Sequence, residues 1–193
     1  MLESPSTNLF QVPVYFPSEQ DDATLVQRTL AGDQAAFEGL VQRYQKVLYT
    51  VALRMLGNPD DAKDATQTAF VRAYERLASF DEQYKFFSWI YRILMNECLN
   101  VLRGRRPEDE LSPALATAGG PYEAAVSSER RTQVQAALLQ LTPDHRAVIV
   151  LRHFGGLSYD EMGDALGVPS KTVKSRLHSA RQRLGELLLG WRA

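Results

Sequence analysis

The sequence predicts an all-α chain of two helical domains, an N-terminal helix bundle and a C-terminal helix-turn-helix, joined by a flexible linker. Three observations predict it. Apolar residues recur at 3.6-residue spacing through most of the chain, and no stretch shows a strand pattern. Helix stop and start signals punctuate that spacing in order. One stretch, residues 104–127, carries three prolines, three glycines and no period, which reads as a linker.

Residues 1–21 hold Pro5, Pro13 and Pro17 without a helical period and are expected to be a flexible tail with a small apolar hook, Phe10 to Phe16. The bundle follows over residues 22–103. Phe37, Leu40, Val41, Tyr44, Val47, Leu48, Val51 and Met55 fall on one helical face. Gly57-Asn58-Pro59 stops that helix, and Pro59 can open the next because the first helical position needs no N–H. Asp60, Asp61 and Asp64 suit the positive end of the new helix, whose buried stripe is Ala62, Ala65, Ala69, Tyr74 and Leu77. A third stripe runs through Phe86, Trp89, Ile90, Ile93, Leu94, Cys98 and Leu102. Together these helices can cover one another's apolar faces.

The second domain is placed at 128–193. Thr142 caps a helix that has Pro143 at its first position and buries Val148, Leu151 and Phe154. Ser158-Tyr159-Asp160-Glu161 forms a capping box for a short helix that ends at Leu166, with Gly167 just beyond it. A turn to Pro169 then leads into a long final helix.

Composition narrows the function. With 45% apolar and 23% charged residues the chain is an ordinary globular one. Its longest run without Asp, Glu, Lys or Arg, Ser4 to Ser18, contains three prolines, so no membrane-spanning helix is expected. The first basic residue is Arg28, which argues against a positively charged leader and for a cytoplasmic protein. Cys98 is the one cysteine, and the histidines are His145, His153 and His178, so no disulfide within the chain, no metal and no cofactor are expected. The net charge of −1 hides segregation: residues 83–106 carry +4, 107–127 carry −4 and 128–193 carry +4.

A short helix, a turn containing Gly and a second helix with a basic outer face are what is needed to enter a DNA major groove. On the last helix Val173, Leu177, Ala180, Leu184 and Leu187 form the inward face. Lys171, Lys174, Ser175, His178 and Gln182 stand three or four apart on the other, where their donors can reach base edges together. Arg176, Arg181 and Arg183 flank that face and suit phosphates. A solvated basic face on a structural helix is the competing reading.

The order of residues then becomes specific. Leu141-Thr142-Pro143, Arg146, Val148, Leu151-Arg152, Gly156 to Glu161, Gly167-Val168-Pro169 and Thr172 to Arg181 closely resemble region four of the extracytoplasmic-function sigma factors of bacterial RNA polymerase. The resemblance implies that Lys171, Thr172, Lys174, Ser175, Arg176, His178, Ser179 and Arg181 face the promoter's minus-thirty-five element. Lys171 stands where the family usually has glycine, Ser179 where a basic residue is frequent, and Gly163 where alanine is usual.

The amino half resembles region two of the same family. Gly32-Asp33, Ala36-Phe37, Leu40, Tyr44, Asp61-Ala62, Asp64, Gln67, Phe70, Ala73-Tyr74 and Leu77 resemble the segment that clamps the polymerase's beta-prime coiled coil, with Thr68 at a usually acidic position. This makes Asp61, Asp64, Gln67, Phe70 and Tyr74 the expected polymerase contacts. Phe86, Trp89 to Ile93, Asn96 and Leu102-Arg103 resemble the part that melts and reads the minus-ten element. Its physics fits. Lys85, Arg92, Asn96, Asn100 and Arg103 lie near one face, opposite the Trp89 and Ile93 stripe, and Tyr84 adds a stacking surface beside them. Phe86, Phe87 and Trp89 are expected mainly in the core.

The resemblance implies a promoter-specificity subunit, not an enzyme. Its partners would be RNA polymerase core, through the beta-prime coiled coil and the beta flap, promoter DNA, and an anti-sigma factor. The alternative is a helix-turn-helix repressor or activator with a helical sensing domain. An enzyme reading rests on Asp60-Asp61-Ala62-Lys63-Asp64, the DDxxD form of prenyl-chain synthases, but a helix N-terminus already explains those aspartates.

Overall fold

The structure, a computed structural model, describes residues 19–105 and 123–190. The tail with its Phe10 to Phe16 hook and most of the expected linker lie outside the described residues. Among the described residues eight α-helices follow in order: α1 Glu19–Leu30, α2 Gln34–Leu56, α3 Pro59–Arg76, α4 Phe86–Gly104, α5 Glu123–Leu139, α6 Pro143–His153, α7 Tyr159–Leu166 and α8 Ser170–Leu189, with a short 3-10 turn at Leu77–Ser79. No strand occurs among the described residues. No helix among them is long and apolar enough to cross a membrane.

The punctuation expected from the sequence at Gly57 to Pro59 and at Ser158 to Gly167 is present, and a further cap, at Asp33, accompanies it. Asp33 caps α2 by accepting from the Ala36 N–H, and Gly57, at φ 73°, ends it in the left-handed conformation. The left-handed backbone disfavours a side chain at Gly57, and a Cβ there would also lie 2.7 Å from the Leu139 side chain of α5, which would have to shift. Asn58 accepts from the Asp60 and Asp61 N–H groups and Pro59 opens α3. The capping box of Ser158 and Glu161 is complete, and Gly167 closes α7 at φ 66°.

In the first half, Leu40, Leu48, Val51 and Met55 of α2 pack against Ala62, Ala69 and Ala73 of α3 and Ile90, Leu94 and Met95 of α4. In the second, Val148 and Leu151 of α6, Met162 of α7 and Val173 and Leu177 of α8 close around Leu157. The expected separation at 104–127 differs in two ways from what forms. Helix α5 already begins at Glu123. The two halves also share one continuous apolar cluster, with α2 against α5 and α6, and α4 against α7.

That junction is built on the carboxyl end of α2, where the last carbonyls of any helix lack partners within it. Gln135 of α5 donates to the Leu53 and Arg54 carbonyls, both at 3.4 Å. Arg146 of α6 donates to the Met55 carbonyl at 2.5 Å, and Arg105 donates to that of Leu56 at 2.9 Å. Arg54 returns a bond of 2.8 Å to Gln135 and lies over the Phe154 ring at 5.0 Å.

Candidate nucleic-acid interface

Helix α8 turns the expected face inward: Val173, Leu177, Ala180 and Leu184 are buried, and Leu187 is half-buried against the same cluster. Lys171, Lys174, Ser175, His178, Ser179, Arg181, Gln182 and Arg183 are exposed, while Thr172 and Arg176 are half-buried. The outward strip therefore combines ammonium, hydroxyl, imidazole and amide groups. Arg176 is engaged within the chain, pairing at 2.9 Å with Asp144 in the first turn of α6, so it braces α8 against its neighbour.

One support of this face was not singled out from the sequence. Tyr159, the first residue of α7, carries the Lys174 ammonium at 5.5 Å and the Arg152 guanidinium at 5.2 Å from its ring centre. Such pairs orient a flexible cation over a fixed ring. Arg152 is itself tied to the Leu157 carbonyl at 2.7 Å. His153, the last residue of α6, is half-buried near Arg181 and Arg152. Its burial, and then the nearby Arg181 and Arg152 charges, hold its imidazolium below the usual histidine range.

On α4, Arg92, Asn96, Asn100 and Arg103 are all exposed and form a strip along the helix. Arg103 donates to the Asn100 side-chain oxygen at 3.1 Å. Tyr84, 53% exposed, stands before the helix beside Lys85. Phe86 and Phe87 are core residues, as expected. Trp89 is not opposite the cationic strip. It is half-buried, with its ring 5.3 Å from that of Phe80 and 5.8 Å from that of Phe86, and it lines a cleft together with Arg92. The i, i+3 spacing of Trp89 and Arg92 places them on one side of the helix.

Two recesses of about 400 and about 450 Å³ flank this end of α4. The first lies between α1 and the loop before α4, where Val26, Phe80, Tyr84 and Phe86 form an apolar wall. The second lies between the halves, with Tyr84, Ser88, Trp89 and Arg92 on one side and Asp160, Asp164 and the α7–α8 turn on the other.

On α3, Asp64, Gln67 and Tyr74 are exposed, and Tyr74 sets its ring edge-on to Phe37 at 5.0 Å. Asp61 is half-exposed and pairs with Arg105 at 2.5 Å. Phe70 faces the other way, being buried in the bundle at 8% exposure. The apolar group presented beside Gln67 and Tyr74 is Val71, 57% exposed, whose spacing from both is that of one helical stripe. Among the described residues, no three His, Cys, Asp or Glu side chains are grouped to hold a metal ion.

Comparison with known proteins agrees with the fold. Residues 40–108 match the Sigma-70 region 2 family and 131–184 match Sigma-70, region 4. The chain is 36% identical to the ECF RNA polymerase sigma factor SigW of Bacillus subtilis, over 84% of this chain and 94% of that one. It is 36% identical to the ECF RNA polymerase sigma-E factor of Escherichia coli, over 86% of this chain and 94% of the relative. The solved structure of CnrH in complex with the cytosolic domain of CnrY has a TM-score of 0.71 at 30% identity, covering 88% of this chain and 98% of CnrH. The sigma factor RpoE of Bartonella quintana, solved with the anti-sigma factor NepR, has a TM-score of 0.63 at 26% identity, covering 78% and 97%.

Proposed function

This chain belongs to the extracytoplasmic-function sigma factors of bacterial RNA polymerase, and from that premise we propose how it divides the work of promoter selection among three surfaces. It binds polymerase core and directs it to promoters. Helix α8 lies in the major groove of the minus-thirty-five element, where Lys174, Ser175 and His178 meet base edges and Arg181 meets a phosphate. The α4 strip receives the minus-ten strand: Arg92 and Arg103 attract the backbone, and the Asn96 and Asn100 amides pair with bases that have left the stack. The exposed side of α3, with Asp64, Gln67, Val71 and Tyr74, seats the beta-prime coiled coil of the polymerase, and the second half contacts the beta flap.

One observation carries this reading. Two exposed cationic strips, each mixed with amides or hydroxyls, stand on different halves of one chain, as reading two separated promoter elements requires. The polymerase supplies the chemistry of RNA synthesis, and we assign the chain no catalytic role. It works in the cytoplasm, with DNA and polymerase. An anti-sigma factor is the expected antagonist, since a related chain is solved in such a complex.

A footprint of promoter DNA at stated salt, with and without core enzyme, tests the proposal. Protection of both elements is expected only with core. Strong specific protection by the chain alone would favour the repressor reading instead.

A further inference from the structure

The recess between α1 and the loop before α4 is built to receive carbon. Val26 of α1 lines it with Phe80, Phe86 and Phe87, and Tyr84 beside them is 53% exposed. Its volume of about 400 Å³ lies in the range of sites that enclose a ligand. The charged groups on its walls are engaged elsewhere. Asp22 accepts from Arg43 and from the Tyr44 hydroxyl, Glu82 accepts from Gln27, and Lys85 pairs with Glu161 at 3.0 Å. What the recess offers an occupant is therefore aromatic and aliphatic surface.

The chain carries a segment of matching chemistry next to this opening. Phe10-Gln11-Val12-Pro13-Val14-Tyr15-Phe16 lies within the longest stretch that has no Asp, Glu, Lys or Arg. Five of its side chains are aromatic or branched and apolar, so leaving it in water is unfavourable. Pro13, and Pro17 just after it, hold φ near the extended value and bring no N–H to bury. Pro-containing extended segments dock in aromatic-lined grooves for those reasons. Reach is short as well. Phe16 stands three residues before Glu19, the first residue of α1, and extended chain spans at most about 3.6 Å per residue. Asp22 and Ala23, which line the recess, are one helical turn beyond Glu19.

We propose that residues 10–16 of this chain dock in the recess between α1 and the 80–85 loop and strap that loop to α1. The loop carries Tyr84 and Lys85, so the docked segment sets where those two side chains stand. Two backbone amides report on the loop: Gln83 donates to the Asp81 carboxylate and Tyr84 to the Asp81 carbonyl, both at 3.0 Å. The docking holds whichever strand the neighbouring α4 strip receives.

Cys98 is the one cysteine and is buried, so cysteines added at exposed positions can be read alone. In the full-length chain, Tyr15→Cys/Gln83→Cys treated with diamide is expected to close an intrachain disulfide about tenfold faster than Tyr15→Cys/Glu186→Cys, whose second thiol is at the far end of α8. Separately, Phe10→Ser/Phe16→Ser should speed hydrogen exchange at the Gln83 and Tyr84 amides about threefold or more, while the Val173 amide of α8 keeps its rate. Equal closure rates for the two cysteine pairs overturn the docking, because the segment then has no preferred seat. Unchanged exchange at Gln83 and Tyr84 overturns the strap. A disulfide that forms between chains, at a rate that rises with protein concentration, overturns the proposal in favour of a second copy's segment as the occupant.

Discussion

Arg146 of α6 donates a 2.5 Å hydrogen bond to the backbone carbonyl of Met55, ninety-one residues earlier, and thereby caps a helix that belongs to the other half of the molecule. The same guanidinium donates to the Leu138, Leu139 and Leu141 carbonyls at 2.9, 2.7 and 3.1 Å. Its residue is 6% exposed, and burial pulls its ordinarily very high pKa down to about 10, with Arg105 contributing. At neutral pH it remains charged, and the four carbonyls replace the water it has lost.

Arg146→Met is therefore expected to remove one donor from each of four carbonyl oxygens, of which that of Leu138 keeps the Leu141 N–H at 3.1 Å, and to lower unfolding free energy by about 3 kcal/mol. Urea unfolding measures this. A loss below about 1 kcal/mol would mean that water replaces the guanidinium at little cost. The shared interface also predicts that nicking within the Pro- and Gly-rich 104–127 stretch leaves the two fragments eluting together in size-exclusion chromatography.

On the recognition helix, Lys174→Ala, Ser175→Ala and His178→Ala should each change which upstream sequences are used, at about 1–3 kcal/mol for one base position. Arg181→Ala should weaken all promoters alike. Tyr159→Leu should mimic a partial loss of Lys174, since the ring that carries the ammonium is gone. Transcription from a randomised upstream library reports all five. A sequence preference altered by Arg181→Ala but not by the other four would reverse the assignment of faces.

Asn96→Ala and Asn100→Ala should reduce open-complex formation more than polymerase recruitment, because amides that pair with unstacked bases act only after melting begins. Permanganate reactivity of promoter thymines reads the melting. Wild-type reactivity in both variants would remove these side chains from the minus-ten interface.

His153 should make the fold sensitive to acid. In the folded chain its imidazole takes a proton less readily than the ordinary value of 6.5, owing to burial and then to Arg181 and Arg152. The unfolded chain therefore binds more protons as pH falls through that value, and stability declines in that direction. Its contribution to this loss is absent well above the ordinary value. Melting temperature followed from about pH 7 to about pH 5 should fall less steeply in His153→Gln than in the parent. Identical slopes would mean that the site protonates equally in both states.

Local signals carried much of this molecule into view. Asn58-Pro59, the box at Ser158 and Glu161 and the glycines at 57 and 167 act through main-chain conformation and hydrogen bonds a few residues away, so the sequence alone determined where α2, α3 and α7 begin or end. Periodicity likewise determined the inward stripe of α8 and, by exclusion, its outward cations, because a helix fixes the angle between neighbours. The same reasoning misplaced Trp89 and left Phe70 as an expected contact. Their angles were readable, but which angle faces a partner helix depends on where that helix lies. The junction was beyond it altogether. Nothing in the order of residues pairs Arg146 with Met55, or sets Glu161 against Lys85, because those contacts join segments distant in sequence and exist only once the two halves share a core. Chain order determined the elements and their faces; tertiary packing decided which faces are covered, because apolar burial between helices is non-directional and its geometry emerges from the assembled surfaces.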